Sequence, residues 1–322
     1  MFLWWSAAPA AAPEDAWIKP KADQSILLDI ARNGSRWIVV GERGHVLASD
    51  DAEKWRQMAV PTRVTLTAVD IDDSGLGIVV GHDATVIRSR DFGETWDRVY
   101  EAPEEETPLL DVVIVDEDRI VAVGAYGLYL ESSDGGDTWE QRVLEPRELD
   151  QSSTPGEQTE EEFFYDFHLN DIEVADSGRW YIAAEAGTVY RSDNGGETWL
   201  RLPSPYAGSF FGVMPMSGDN LFLFGLQGRL YHSSDAGVRW RRIDTGTDAT
   251  LSGGVRLDDD KALVVGYAGT VLKNVDGEGN LERIGLANRP ALSDARLLAN
   301  GNLLSVGQSG VRQWTVEALS GP

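Results

Sequence analysis

The sequence predicts an all-β fold, a seven-bladed β-propeller of four-stranded blades, on three observations. Apolar runs that end in a Gly-x-x-Gly-like turn recur seven times, with first turn positions Gly41, Gly81, Gly124, Ala184, Gly225, Gly266 and Gly307, at intervals of 40, 43, 60, 41, 41 and 41 residues. Each unit holds apolar runs of four to six residues bounded by Gly, Asp or Asn, too short for helices and rich in β-branched residues. A second motif of the form S-x-D-x-G-x-T-W follows the turn in the second to fifth units and, degraded, in the first and sixth, its Trp 11 residues after the second turn position in the first unit and 12 in the next four. Four short strands per repeat make one blade, and radial closure shields the strand edges of every blade.

Taken in chain order, residues 1–13 read MFLWWSAAPAAAP, an apolar run followed by small residues. This pattern fits the back half of a signal peptide without its basic start, the alternative being a disordered Ala/Pro leader. Residues 14–322 are expected to form one propeller domain. Its first strands are predicted at Ile26 to Ala31, Leu66 to Ile71 and Leu109 to Val115, and its second strands at Trp37 to Val40, Ile78 to Val80 and Ile120 to Val123. The fourth strands follow Ser89, Asp91, Gly93 and Trp96; Ser132, Asp134, Gly136 and Trp139; Ser192, Asn194, Gly196 and Trp199; and Ser233, Asp235, Gly237 and Trp240. The first unit carries a degraded motif at Asp50, Ala52 and Trp55, and the sixth at Asn274, Asp276 and Leu281. In this motif the Asp or Asn accepts amides of its own turn, the Gly takes a backbone conformation other residues resist, and the Trp fills a seam. That is a structural use, not a catalytic one. The seventh unit supplies three strands before the chain stops, so Trp17 and its neighbours are expected to add the fourth and close the ring.

Of 322 residues, 28 are Lys or Arg and 53 Asp or Glu, for a net charge of −25. This balance argues against nucleic acid and against an anionic membrane surface. The absence of Cys removes disulfides, thiolate zinc sites and cysteine nucleophiles. After the leader no stretch is long and apolar enough to span a membrane. Neither a metal nor any other cofactor is expected, and the chain is expected to be a monomer.

In a propeller the turns between second and third strands share a face with the connections between blades, opposite the S-x-D-x-G-x-T-W turns. That face presents Glu42, Arg43, His82, Asp83, Tyr126, Glu185, Gln227, Tyr267 and Gln308 as candidates for partner binding. It also carries the departures from the repeat, above all an acidic insertion at 145–165 that ends in Phe163, Phe164 and Tyr165. Such an insertion is a solvated spacer or a docking element with aromatic anchors. Asp29, Asp111, Asp171 and Asp294 occupy equivalent places at the channel rim, opposite Ala68, Gly212 and Gly254 in the other blades. They could bind a cation or a basic side chain, or satisfy backbone amides inside their own blades.

A sialidase-like site would need an arginine cluster and an activated Tyr, and the inner strands offer only Arg256 and Arg296 as inward arginines. Glu42, Glu185 and Asp171 could form a glycosidase pair, as could carboxylates on any acidic rim. No Ser/His/Asp arrangement surrounds His45, His82, His168 or His232. An enzyme is therefore not expected. A glycan-binding or glycoside-hydrolase propeller is the alternative.

The motif at Ser89 to Trp96 resembles the Asp-box, or BNR, repeat. Together with Leu28-Asp29-Ile30 and Trp37 to Gly44, repeated over residues 14–317, it resembles the photosystem II assembly factor family known as Ycf48 or Hcf136. The resemblance implies a non-enzymatic propeller that binds assembly intermediates of membrane complexes. In a non-photosynthetic bacterium it implies an envelope protein, accessory to an inner-membrane exporter. The location implied is exported, periplasmic or envelope-associated, with the cytoplasm as the alternative.

Overall fold

In the computed structural model, which describes residues 14–34, 36–148, 167–274, 276 and 279–315, the chain is an all-β, seven-bladed propeller. The innermost strands are Leu27–Asn33, Leu66–Ile71, Leu109–Ile114, Leu169–Val174, Phe210–Pro215, Leu251–Arg256 and Leu292–Leu297. The second strands, such as Ile120–Gly124 and Leu303–Gly307, are buried along their whole length. They lie in the middle of each sheet with neighbouring blades on both faces, which is why they read as unbroken apolar runs rather than alternating ones. Apolar side chains from adjacent blades form one cluster at each seam; Ile38 and Val40 of blade one, for example, pack with Leu66, Val79 and Trp96 of blade two.

The Asp-boxes have the structural role expected of them. Ser89 Oγ accepts the Gly93 amide at 2.8 Å and donates to Asp91 Oδ1 at 2.8 Å, while Asp91 accepts the amide and the hydroxyl of Thr95 at 2.8 and 2.6 Å. The boxes at Ser132, Ser192 and Ser233 repeat the pattern. In the last, Arg239 Nε takes the place of the Thr hydroxyl, donating to Asp235 Oδ2 at 2.7 Å. Gly93 has φ +78°, and a Cβ there would sit 2.6 Å from Ile38 of the preceding blade, so the position excludes side chains twice over. In blade one the box carboxylate is Asp51, which accepts the amides of Glu53 and Lys54; Asp50, expected in that role, instead pairs with Arg36 at 3.0 Å.

Two further expectations are corrected. Residues 14–20 do not add a fourth strand to blade seven, which has three strands among the described residues. They form a strap on blade one, where Ala16 N donates to Val60 O at 2.9 Å and Lys19 N to Gln57 Oε1 at 2.7 Å. The ring closes instead through Val311 N to Asp23 O at 2.9 Å, Gln313 Nε2 to Ala52 O at 2.6 Å, and an apolar seam joining Leu27, Ile30 and Trp37 to Leu304 and Val306. Secondly, strand register places Gly253, not Gly254, opposite the Asp positions, because Gly253 pairs with Val265 as Asp294 pairs with Val306. Of the insertion, Arg147–Glu148 pairs in parallel with Leu200–Arg201 as a fifth strand of blade four. Residues 1–13, and Phe163, Phe164 and Tyr165, lie outside the described residues. No helix among those described is long and apolar enough to cross a membrane.

Candidate interaction face and central channel

Backbone hydrogen bonds separate the two faces as expected. Turns between second and third strands bond to the connections between blades, as in Gly44 N to Val64 O at 2.7 Å and Gly127 N to Phe167 O at 2.9 Å. The Asp-boxes bond instead to the hairpins of the opposite face, as in Gly135 N to Asp118 O at 2.8 Å. All nine turn candidates therefore lie on one face. Six of the seven turns, all but that at Gly307, hold their third residue in the left-handed region, which disfavours any side chain, yet Arg43 (φ +59°), Tyr126 (φ +53°) and Gln227 (φ +56°) occupy it. Tyr126 is 64% exposed, its ring edge-on to His168 at 5.0 Å, and Tyr267 stands out likewise from blade six. Glu185 Oε2 accepts the His168 amide at 3.3 Å, Glu42 Oε1 accepts the Ile26 amide at 3.3 Å, and Gln227 Oε1 accepts the Tyr206 hydroxyl at 3.2 Å. His82 and Gln308 are exposed and Asp83 is half-buried. Glu42 and Glu185 belong to blades one and four, on different sides of the ring, and do not form a catalytic pair.

The rim aspartates bridge blades. A bulge in every inner strand turns the third residue toward the channel, and at that place Asp29 Oδ2 accepts the Val69 amide of blade two at 2.7 Å. Asp111 takes the Ile172 amide of blade four and Asp171 the Val213 amide of blade five, each at 2.8 Å. Each of these carboxylates thus reaches into the next blade rather than to a neighbouring turn of its own blade, although Asp29 Oδ1 also accepts the Ile30 amide of its own strand at 2.7 Å. Asp294 pairs with Arg296. Two residues further along the strands, facing the channel again by the two-residue period, stand Asp70, Glu173 and Arg296. Asp70 accepts the Ile114 amide at 2.8 Å and continues the series between blades two and three. Alternation along the inner strands pointed to Asp70 and Glu173, although neither was singled out from the repeat. Arg256, expected inward, pairs outside the channel with Asp176 and Asp259.

Together these groups line a channel cavity of about 260 Å³, acidic toward blades one to four and seven and apolar toward blade five, where Phe211, Met214 and Phe224 fill it. Gly212 makes room for the Phe224 ring and Gly253 for Asp294. Burial pushes the carboxyls of Asp70, Asp111 and Asp171 above their ordinary range, with neighbouring carboxylates adding to the effect. Glu173 touches channel solvent but is walled in by protein; burial and Asp111 push it up to about 8 against the pull of Arg296. Asp294 is pushed up to about 7 by burial and by Asp29, again with Arg296 opposing. Among the described residues no group of three or more His, Asp or Glu is arranged to hold a metal ion.

Fold and repeat define a class, the seven-bladed Asp-box propellers. Within it, the profile of the photosynthesis system II assembly factor YCF48 family matches residues 47–199 and 98–241, and the chain belongs to that family. It is 26% identical over 156 residues to the photosystem II assembly lipoprotein Ycf48 of Synechococcus sp. (strain CC9902), covering 48% of this chain. It is 32% identical over 110 residues to the photosystem II stability/assembly factor HCF136, chloroplastic, of Arabidopsis thaliana, covering 34% of this chain. The matched stretches span 42% and 24% of those relatives. Among solved structures, a YCF48 bound to a D1 peptide superposes with TM-score 0.71 at 13% identity, covering 95% of this chain and 97% of that one. YCF48 from Cyanidioschyzon merolae gives 0.68 at 16% identity, covering 94% and 98%. A streptogramin B lyase gives 0.72 at 10% identity, covering 90% and 93%, so the fold alone does not separate binder from enzyme.

Proposed function

We propose that the chain is an exported, non-enzymatic interaction scaffold that assists the assembly or function of a membrane protein complex, binding it through the face opposite the Asp-boxes. The supporting observation is the set of large side chains held in left-handed backbone at equivalent turns of that face. Backbone strain of this kind persists where it serves a purpose, and Gly at these positions would remove it. Arg43, Tyr126 and Gln227 therefore present binding groups at a cost in stability, with Tyr267 beside them. The expected partner is a membrane protein complex or its assembly intermediate. The channel supports the non-enzymatic reading to this extent: Asp29, Asp70, Asp111 and Asp171 are occupied with amides of the next blade, and Arg296 is occupied with Asp294.

Affinity purification from native envelope membranes, with Tyr126→Gly and Tyr267→Ala introduced together, tests the reading. The wild-type chain is expected to retain a membrane complex that the double variant loses at unchanged melting temperature. Capture that survives both substitutions contradicts it. Turnover of fluorogenic sialosides or β-glycosides that is abolished by substituting Glu42 or Glu185 would replace it with the glycosidase reading.

A further inference from the structure

At the rim of blade one, a cavity of about 230 Å³ is lined by Trp17, Lys19, Arg43, His45 and Arg63, three cations and no carboxylate. In a chain of net charge −25 this reverses the prevailing sign. The site is held together by Gln57, whose Oε1 accepts the Lys19 amide at 2.7 Å and whose Nε2 meets the Trp17 carbonyl and His45 Nδ1, each at 3.1 Å. The Trp17 indole lies 5.0 Å from the Lys19 ammonium and 4.6 Å from the Arg63 guanidinium, so both charges are placed before any ligand arrives. Burial holds the His45 imidazole below its ordinary value, and Arg43 and Lys19 reinforce this against Glu42.

The three cations are unequally occupied. Arg63 is met by Glu14 and by the Asp15 carbonyl. Arg43 reaches Glu42 only at 3.9 Å and keeps 71% of its side chain exposed, and Lys19 has no ion pair among the described residues. Lys19 and Arg43 are thus the charges open to a ligand, and a Debye length of about 8 Å at physiological salt lets them act locally despite the net charge. The exposed apolar side chains of Trp17 and Ile18, and of Ile26 beside the Glu42-Arg43 turn, border the site. A free inorganic ion would leave that surface uncovered, whereas a protein segment would cover it.

We propose that this pocket receives a side-chain carboxylate from an acidic peptide segment of a protein partner, held by Lys19 and Arg43 beside Trp17. The proposal rests on the reading of this face as the docking surface and specifies the chemistry of what docks at blade one. The test is fluorescence anisotropy with a labelled peptide of alternating Glu and Gly, its Gln and Gly counterpart, inorganic phosphate as competitor, and polygalacturonate as an acidic glycan. Proteins compared are the wild-type chain, Lys19→Glu with Arg43→Glu, Arg43→Gly, and Lys54→Glu near the Asp-box of the opposite face.

The wild-type chain should bind the Glu peptide in a salt-sensitive manner and ignore the Gln peptide. Charge reversal should weaken binding about tenfold or more, Arg43→Gly should weaken it at an undiminished melting temperature, and Lys54→Glu should leave it intact. Absence of binding by the wild-type chain overturns the proposal, as does equal binding by the charge-reversed variant. Displacement by phosphate at matched concentration, or tighter binding of polygalacturonate, also overturns it. If the charge-reversed variant still binds the peptide while Tyr126→Gly with Tyr267→Ala loses the membrane complex, the pocket fails and the face reading stands. If charge reversal abolishes peptide binding while the membrane complex survives Tyr126→Gly with Tyr267→Ala, the face reading fails and the pocket stands.

Discussion

Ser89 shows how much of one blade turn can depend on one hydroxyl. Its Oγ is buried, accepts the Gly93 amide and donates to Asp91. Ser89→Ala leaves that buried amide without a partner, and a loss of about 1–3 kcal/mol is expected in chemical denaturation. Trp96 is 6% exposed, packs against blade one and donates from Nε1 to the Gly93 carbonyl at 3.1 Å. Trp96→Ala should cost about 3–5 kcal/mol. Trp139 holds the same place in the motif but is only half-buried, so Trp139→Ala should cost distinctly less; equal losses would contradict the burial difference. The two tryptophans cannot be ranked from sequence, because the motif specifies the turn while the neighbouring blade sets the burial. The opposite sign is expected at Tyr126, where Tyr126→Gly removes left-handed strain and should leave the melting temperature unchanged or higher. A large drop on that substitution would show that the ring is there for packing.

The inner strand is the element that ties the ring together, and its carboxylates make stability depend on pH in a definite direction. Glu173, at about 8, and Asp294, at about 7, bind protons more tightly in the folded chain than in the unfolded one, as do Asp70, Asp111 and Asp171. Between the ordinary carboxylate range and about pH 8 the folded state therefore holds more protons, and its stability falls as pH rises. The Asp-box carboxylates act the other way. Hydrogen bonds from the hydroxyl and amide of Thr138 lower Asp134 to about 2, so its contribution is present above the ordinary range and is lost as pH falls toward that value. Melting temperature should accordingly peak in mildly acidic solution and decline toward pH 8, and Glu173→Gln should flatten the decline. A melting temperature that rises steadily from pH 5 to pH 8 would rule out this account. The positions of Asp29, Asp111, Asp171 and Asp294 were legible in the repeat. The partners of Asp29, Asp111 and Asp171 were not, because an amide of the adjacent blade lies 40, 61 and 42 residues away in sequence and next door only once the ring has formed.

Across the whole molecule, the seven blades, their seams and their two faces were legible because each repeat writes the same instructions for strand, turn and seam. Ring closure was misread for the same reason. Spacing placed Trp17 where a fourth strand of blade seven would put its Trp, but a single spacing lacks the redundancy that fixed the other blades. Residues 14–19 spend their hydrogen bonds on Gln57 and Val60 of blade one. The closing contacts come later in the chain, where Asp23 O accepts the Val311 amide and the buried Ala22 and Leu27 enter the seam with Leu304 and Val306. A chain that starts at residue 21 should therefore keep the ring and lose only the strap, with a small fall in melting temperature. A chain that starts at residue 27 removes Ala22 and the Asp23 carbonyl and should loosen blades one and seven together, because in a ring of repeats each interface supports its neighbours. Hydrogen exchange distinguishes the two. Amides of Arg36–Gly41 and Leu303–Gly307 should stay protected in the first truncation and exchange faster in the second, while Ile120–Gly124 on the far side stays protected in both. Loss of protection in all three segments already in the first truncation would restore the strap to the role of ring closure.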